Sequence, residues 1–185
     1  MTGATDHELM LDVRNGEVAS LGTLFERHHG ALFNFFLRFS GNRPSSEDLV
    51  QEVFFRMLKY RNSYRDRSQF TAWMYQIARH VRFDHMSKRT REKPLEESVA
   101  EPVSAGAAPG EEMERLEAVA LLEAALARIP ADKREILILS RFQKLKYEEI
   151  AGILGCEVGA VKVRVYRAVR ELRDTFFELQ GKRAS

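Results

Sequence analysis

The 185-residue chain lacks most of the features that mark secreted, membrane-spanning or disulfide-stabilised proteins. Its one cysteine, Cys156, excludes an internal disulfide and any metal site built from several cysteines. No run of residues approaches the roughly 18 apolar residues that a membrane span needs. The first residues, Met1 to Glu8, are polar and acidic and lack the basic-then-apolar order of a signal peptide. These absences predict a cytoplasmic protein.

The sequence also lacks the motifs that carry common enzyme chemistry. It contains no glycine-rich phosphate loop, no recognisable nucleophile and base, and no acidic pair with an obvious cleft. The adjacent residues His28 and His29 point in different directions on a helix, so they make a poor metal site. We therefore expect no catalytic activity, no metal, no cofactor and no small-molecule substrate.

Charge is distributed unevenly, although the formal net charge is only +2. Residues 54–93 carry 11 lysines and arginines against three acidic residues, whereas residues 94–123 carry eight glutamates against one arginine. A second basic stretch follows at 162–173. Two basic blocks separated by an acidic one indicate two anion-facing surfaces on two modules, although solvated helix faces would give the same pattern.

Apolar residues recur at helical spacing through most of the chain, and no segment alternates with the period of two that marks a strand. The exception is the stretch from Pro94 to Gly110, which is rich in proline, glycine, alanine and glutamate and has no apolar period. The predicted fold class is therefore all-α. Two small helical domains, at 1–93 and 112–178, are joined by a flexible acidic linker at 94–111 and followed by a tail at 179–185.

Local signals predict where the helices begin. In the first module, Ser45 or Ser46 is expected to cap the helix that follows Pro44, because a serine oxygen accepts from the free backbone donors of the first turn. The polar stretch 61–69 lacks apolar anchors and is expected to be a loop. In the second module, Asp132 is expected to cap the helix that follows Pro130.

The segment YEEIAGILGCEVGAVKVRVYR at 147–167 has the spacing of a helix-turn-helix. Ala151 is small where the two helices cross, and Gly155 lies where the turn favours a left-handed backbone. Val161 returns an apolar contact from the second helix. Arginine and lysine on that helix can pair with guanine edges or phosphates in the major groove. The alternative is a helical hairpin with a basic face and no role in DNA binding.

Two longer stretches resemble conserved regions of one family. SSEDLVQEVFFRMLKY with FTAWMYQIARHVRFDHMSKR resembles the second region of extracytoplasmic-function sigma factors of the sigma-70 family. ALARIPADKREILILSRFQKLKYEEIAGILGCEVGAVKVRVYRAVREL resembles their fourth region. The resemblance implies a promoter-specificity subunit of RNA polymerase that acts in a stress or envelope response. It implies core RNA polymerase, promoter DNA and an anti-sigma factor as partners.

The resemblance also implies three groups of site residues. The helix after Ser46 would bind core polymerase, the loop at 62–69 and the next helix would open and hold the −10 element, and the second helix of the helix-turn-helix would read the −35 element. The implied residues are Asp48, Gln51, Glu52 and Phe55 for polymerase; Arg65, Arg67, Tyr75, Arg79, His80, Asp84, Lys88 and Arg89 for the −10 element; and Lys162, Val163, Arg164, Tyr166, Arg167 and Arg170 for the −35 element.

Several roles stay open at this point. Tyr75 or Phe83 would provide a stacking face for melted bases, and Asp84 would either accept from a base amine or pair with Lys88 one turn on. Lys146 stands where the family usually has a capping serine, so that cap is either missing or supplied by another residue.

The sequence is compatible with three functions. Besides the sigma factor, they are a free-standing helix-turn-helix regulator and an adaptor that binds polymerase or an anti-sigma protein without reading DNA. The basic helix beside the loop at 61–69 favours the sigma factor, because a free-standing regulator has little use for it. The adaptor predicts that the recognition helix lacks basic residues, and that helix has several.

Overall fold

A computed structural model describes residues 3–92 and 111–183, so the predicted linker at 94–111 lies outside the described residues except for Glu111. The regular structure of these two ranges is helical, which confirms the predicted fold class. None of the described helices is long and apolar enough to cross a membrane. The helices are α1 (Asp6–Asn15), α2 (Ser20–Ser40), α3 (Arg43–Lys59), α4 (Phe70–Glu92), α5 (Glu111–Arg128), α6 (Ala131–Leu137), α7 (Tyr147–Leu154) and α8 (Val158–Arg183), with a 3₁₀ turn at Arg61–Ser63 and a π turn at Ile138–Phe142.

The chain divides into two compact units. The first comprises the described part of Met1–Ser98 together with Ala151–Gly155, and the second comprises the described parts of Val99–Ile150 and Cys156–Ser185. The sequence also predicts two modules, but it assigns the whole of 112–178 to one of them. The boundaries at 93 and 112 stay predictions.

The core of the first unit forms where α2, α3 and α4 pack on one another and α1 covers α2. Phe35 lies at its centre and is fully buried, and its ring makes edge contacts with the rings of Phe36, Phe39 and Tyr75 at 5.2 to 5.5 Å between centroids. Such contacts add to the free energy gained by burying the rings. The apolar stripes therefore bury one face of each helix and leave the opposite face to solvent.

The start of α3 differs from the prediction, because Asn42 and not a serine is its cap. The Asn42 side chain accepts a hydrogen bond from the backbone N–H of Ser45 at 2.8 Å, and Pro44 lies in the first turn. Ser46 is fully buried, and its hydroxyl donates to the carbonyl of Asn42 at 2.7 Å. The predicted caps Ser45 and Ser46 lie inside the helix because it begins earlier, at Arg43.

The second unit is organised around α8, which packs against both α5 and α6. Its helix α6 begins at Ala131 with Pro130 in the cap position, so the predicted cap Asp132 is wrong and lies in the first turn. Helix α8 continues to Arg183, and Leu179 packs in a cluster with Leu121 and Ala125. The residues predicted as a tail therefore begin as part of the helix and its core.

The cap of α3 gives a direct test of this local structure. Substitution Asn42→Ala removes the acceptor of the Ser45 N–H and should lower the free energy of unfolding by about 1 kcal/mol. Substitution Ser45→Ala is the matched control and should change it by less than about 0.5 kcal/mol. Urea unfolding of the three proteins measures both values. An equal loss in the two variants would contradict Asn42 as the cap.

Candidate nucleic-acid interface

The helix-turn-helix is formed by α7 and α8 with the turn that joins them. Gly155 has a φ of 63°, a left-handed backbone that glycine adopts without a Cβ penalty, as its position in the motif predicts. Ile150 and Val161 are fully buried on the two sides of the turn. The backbone N–H of Val161 donates to the carbonyl of Glu157 at 3.1 Å, so the first turn of α8 is regular.

Helix α8 has one buried face and one exposed cationic face. Val161, Val165 and Ala168 recur at helical spacing and are 2% exposed or less. Tyr166 is 64% exposed, and Arg164 has its Nη1 atom 3.9 Å from the Sγ atom of Cys156. The six residues implied for the −35 element are all exposed and lie in the first half of the helix: Lys162, Val163, Arg164, Tyr166, Arg167 and Arg170.

The cations on this face differ in whether an acid neutralises them. Within the described part of the chain, Lys162, Arg167 and Arg170 make no ion pair. Arg173, one turn further along, pairs with Asp174 at 2.9 Å. The unpaired positive charge is thus concentrated before Arg173, where a major groove could receive it.

The start of α7 retains one half of a capping box, although Lys146 stands in place of the serine. The carboxylate of Glu149 accepts a hydrogen bond from the backbone N–H of Lys146 at 2.9 Å. This is one half of a capping box, in which the third residue of a helix reaches back to the residue that precedes it. This contact satisfies the N–H of Lys146, whereas the serine would have accepted from an N–H in the first turn of α7, so the two caps are not equivalent.

The loop before α4 is anchored by Tyr64, which the sequence prediction missed. Its ring is 1% exposed, contacts the ring of Trp73 edge-on at 5.0 Å, and has its hydroxyl 2.7 Å from Nδ1 of His7. The hydroxyl also donates to the carbonyl of Ser68 at 3.3 Å. The expectation that 61–69 lacks apolar anchors is therefore wrong. The presence of one aromatic residue in an otherwise polar stretch was the sequence signal that could have indicated this anchor.

Two cavities border this loop. The larger one, of about 460 Å³, is lined by residues of the loop and by Arg14 of α1, and it brings the predicted residues Arg65 and Arg67 together. Both are exposed. The second, of about 210 Å³, lies between the 3₁₀ turn and α4 and is lined by Trp73 and His80, among others. His80 is exposed at its edge, so three of the implied −10 residues, Arg65, Arg67 and His80, line the two recesses.

Helix α4 corrects the expectation for one residue implied at the −10 element. Tyr75 is 2% exposed and packs on Phe35, so its ring lies in the core and offers no stacking face. Phe83 is 50% exposed, so of the two candidate stacking faces it is the one whose ring is accessible. The guanidinium of Arg82 lies between the rings of Phe39 and Phe83, at 4.0 and 4.8 Å from their centroids, and orients the exposed ring.

The remaining cations of α4 are placed differently from one another. Arg79 is half-buried and Lys88 is exposed, whereas the side chain of Arg89 lies outside the described residues. Asp84 does not pair with Lys88. Its carboxylate accepts a hydrogen bond from Arg56 of α3 at 2.7 Å. The alternative that paired Asp84 with Lys88 is therefore wrong, because a nearer cation comes from another helix.

The residues implied for polymerase binding share one side of α3. Asp48 and Gln51 are exposed, and Phe55 is 59% exposed although it is a large apolar side chain. Glu52 is half-buried, and its carboxylate accepts from Nε of Arg56 at 2.6 Å. Arg56 thus holds both Glu52 and Asp84, and the two acids raise the pKa of this guanidinium against the opposing effect of burial.

Two sequence profiles match most of the chain. The profile of Sigma-70 region 2 matches residues 24–92, and that of Sigma-70, region 4 matches residues 120–172. Over 139 residues the chain is 34% identical to the ECF RNA polymerase sigma factor EcfG of Rhodopseudomonas palustris, covering 75% of each chain. It is 27% identical to the RNA polymerase sigma-H factor of Pseudomonas aeruginosa, covering 91% of this chain and 92% of the relative.

Two solved structures have a similar fold. The sigma factor RpoE of Bartonella quintana, solved in complex with the anti-sigma factor NepR, is 28% identical and has a TM-score of 0.64 over 83% of this chain and 94% of its own. The structure of CnrH, in complex with the cytosolic domain of CnrY, has a TM-score of 0.67 at 22% identity, over 91% of this chain and 95% of its own, and supports the fold.

The buried hydroxyl of Tyr64 predicts a pH dependence. Burial, and secondarily the Asp6 carboxylate, raise the pKa of Tyr64 from its usual value near 10 to about 12. Below pH 10 the hydroxyl is neutral in both states. Between pH 10 and about 12 it ionises first in the unfolded chain, so its contribution to stability is lost across that window, at up to about 1 kcal/mol per pH unit.

Urea unfolding of the wild type and of Tyr64→Phe, repeated from pH 9 to the upper limit of folding, tests this expectation. The variant should be less stable at pH 9 by about 1 kcal/mol, because it lacks the hydroxyl and its hydrogen bonds. Its stability should then fall less steeply with pH. Tyr60→Phe, at an exposed position, should follow the wild type. Parallel pH curves for the wild type and Tyr64→Phe would contradict the raised pKa.

Proposed function

This chain belongs to the extracytoplasmic-function group of the sigma-70 family, and from that membership we propose how its residues divide the work of promoter recognition. It is an RNA polymerase sigma factor that directs promoter-specific initiation of transcription. We propose that residues 1–93 bind core polymerase and the −10 element, that 112–178 bind the −35 element, and that 94–111 connect them. The chain itself is proposed to catalyse no reaction and to act in the cytoplasm with polymerase.

The observation that carries this proposal is the cationic face of α8. Lys162, Arg167 and Arg170 are exposed and unpaired among the described residues, and they lie opposite the stripe that fixes α8 in the second unit. A recognition helix needs such a face, because major-groove readout uses side chains that project away from the supporting core. Val163, which is 48% exposed, supplies an apolar group that can contact a thymine methyl.

The −10 element is proposed to bind as a melted strand at the loop and α4. Unpaired bases need an aromatic face and the backbone needs cations. Phe83 supplies the exposed ring in place of Tyr75, and Arg65 and Arg67 supply the charge at the larger cavity. His80 lines the smaller cavity, where its imidazole can form hydrogen bonds to a base. We also propose that Arg79, Lys88 and Arg89 contact the sugar-phosphate backbone of the melted strand.

Core polymerase is proposed to bind α3 through Asp48, Gln51, Glu52 and Phe55. The exposure of Phe55 supports this, because a large apolar side chain surrounded by polar ones is typical of an interface core. Glu52 contributes less charge than Asp48, since it is already bonded to Arg56.

An anti-sigma factor is proposed as the regulator. The Bartonella quintana relative was solved with such a protein, and it covers most of this chain. The inhibitor would bind the free factor and prevent it from joining core polymerase in a stress or envelope response. The free-standing regulator is set aside because the match to region 2 spans the first unit from α2 to α4.

Run-off transcription tests the function directly. Core RNA polymerase is assayed with and without this protein over a library of upstream sequences from its own genome. Transcripts should appear only when the protein is present, and their promoters should share paired −35 and −10 motifs. DNA binding in the absence of core enzyme, without any new start sites, would favour the free-standing regulator instead.

Substitution of two arginines of α8 should distinguish a contact that reads a base from a contact with the DNA backbone. Arg164→Ala should cost about 1 to 3 kcal/mol of −35 duplex binding and relax the preference at one base pair. Arg170→Ala should weaken all sequences alike and reduce the slope of log affinity against log salt by about 0.9, because one phosphate contact is lost. Arg173→Ala, whose charge is already paired with Asp174, is the control and should leave the slope unchanged.

A further inference from the structure

The loop that carries Arg65 and Arg67 is held by α1 as well as by Tyr64. Nη1 of Arg14, in the last turn of α1, donates to the backbone carbonyl of Tyr64 at 3.1 Å and to Oδ1 of Asp66 at 2.6 Å. The two acceptors lie on either side of Arg65 in the chain. A single guanidinium therefore restrains the loop on both sides of Arg65.

Helix α1 lies outside the stretch that matches Sigma-70 region 2, which begins at residue 24. Nothing in the sequence pattern assigns Arg14 a role beyond a favourable charge near the end of a helix. Its contacts span 50 and 52 residues along the chain, so they are visible only in the structure.

The contact to the carbonyl is the more important of the two. Asp66 is 75% exposed, and an ion pair with so exposed a partner contributes little to stability. The carbonyl of Tyr64 belongs to the residue whose ring anchors the loop, so this hydrogen bond restrains the backbone at the same point from a second direction. Arg14 is 27% exposed, and its bonds are partly shielded from water.

The same guanidinium forms one wall of the larger cavity. Arg14 lines this space of about 460 Å³ together with Asn62, Tyr64, Arg65, Asp66 and Arg67. If Arg14 were truncated, the cavity would lose its wall from α1 and the loop would lose its restraint.

We propose that Arg14 is a positioning residue for promoter opening: it holds the loop in the conformation in which Arg65 and Arg67 face a melted strand. This inference rests on the proposed function of the loop. Arg14 acts on the loop through the two hydrogen bonds that its Nη1 atom donates to Tyr64 and Asp66, and not by contacting DNA. Binding of the −35 duplex, which uses α8, does not depend on it.

The chain offers a closely matched control in Arg27 of α2. Its Nη1 atom donates to the carbonyl of Ala4 at 2.9 Å and to Oδ1 of Asp6 at 2.7 Å, the same two kinds of acceptor. These contacts also involve α1 and the residues just before it, but neither acceptor belongs to the loop. Arg27→Ala therefore weakens the attachment of α1 without touching Tyr64 or Asp66.

The experiment uses full-length variants assembled with core polymerase on a promoter found by run-off transcription. Opening is followed with 2-aminopurine placed in the −10 element, and −35 duplex binding is measured by fluorescence anisotropy. Arg14→Ala should slow opening about ten-fold, the factor expected for the loss of one hydrogen bond to a charged group. Its −35 affinity should stay within about two-fold of wild type, because α8 carries none of the residues to which Arg14 donates.

Three further variants sharpen the result. Arg14→Lys should recover part of the opening rate, since an ammonium can still donate to the Tyr64 carbonyl. Asp66→Asn should open at close to the wild-type rate, because the carbonyl contact remains. Arg27→Ala should open within about two-fold of wild type, since Arg27 donates to Ala4 and Asp6 and the Arg14 contact to Tyr64 remains. Thermal unfolding of each variant confirms that the proteins are folded.

The outcomes distinguish a positioning role of Arg14 from a role in overall stability and from direct contact with DNA. Equal slowing by Arg14→Ala and Arg27→Ala would show that α1 acts only through overall stability and would overturn the inference. A fall of about 0.7 in the salt slope for single-stranded −10 DNA would show that Arg14 contacts phosphate directly and would also overturn it. If Arg14→Ala opened the promoter at the wild-type rate, the positioning role of Arg14 would be refuted and the proposed function would stand. If the wild-type protein opened no promoter, the proposed function would be refuted as well.

Discussion

The burial of Val161, Val165 and Ala168 sets the rotation of α8 about its axis, and the proposed contacts to duplex DNA depend on that rotation. Side chains on a helix recur every 3.6 residues, so burying one stripe commits the opposite stripe to solvent. Arg164 and Arg167 face outward as a consequence of what their neighbours bury. A polar substitution in the buried stripe would therefore disturb DNA reading without removing any residue that contacts DNA.

The loop before α4 obeys a different constraint. It has no repeating apolar stripe, so its conformation depends on individual contacts. These are the buried ring of Tyr64, the hydrogen bond between its hydroxyl and His7, and the hydrogen bond from Arg14 to its backbone carbonyl. Such a loop is easier to move than a packed helix, because each restraint is a single bond. This difference suits the two tasks, since reading a duplex needs a rigid helix and capturing melted bases needs a loop that can be held in place.

The fold class and the helix-turn-helix could be predicted because they depend on periodicity and on residues close in sequence. The left-handed backbone at Gly155 and the burial of Val161 are examples. Contacts that need a distant partner were not predicted: the sequence leaves Asp84 either to a base amine or to Lys88 one turn away, whereas Arg56 from another helix pairs with it. Tyr75 was judged available by residue type, but its burial depends on where Phe35 packs. Helical spacing shows which residues share a face and does not show what covers that face.

The pairing of cations separates structural arginines from those proposed to bind DNA. Arg14, Arg27 and Arg56 each bond to a carboxylate on another element, at the loop, at α1 and at α4 respectively. The exposed cations of the proposed DNA surfaces, among them Arg67 and Arg170, have no such acid among the described residues. Since the net charge is only +2, the long-range field of the whole chain contributes little to binding DNA. Affinity must then come from local clusters, and the fold creates them by using acids to pair the arginines that hold its elements together.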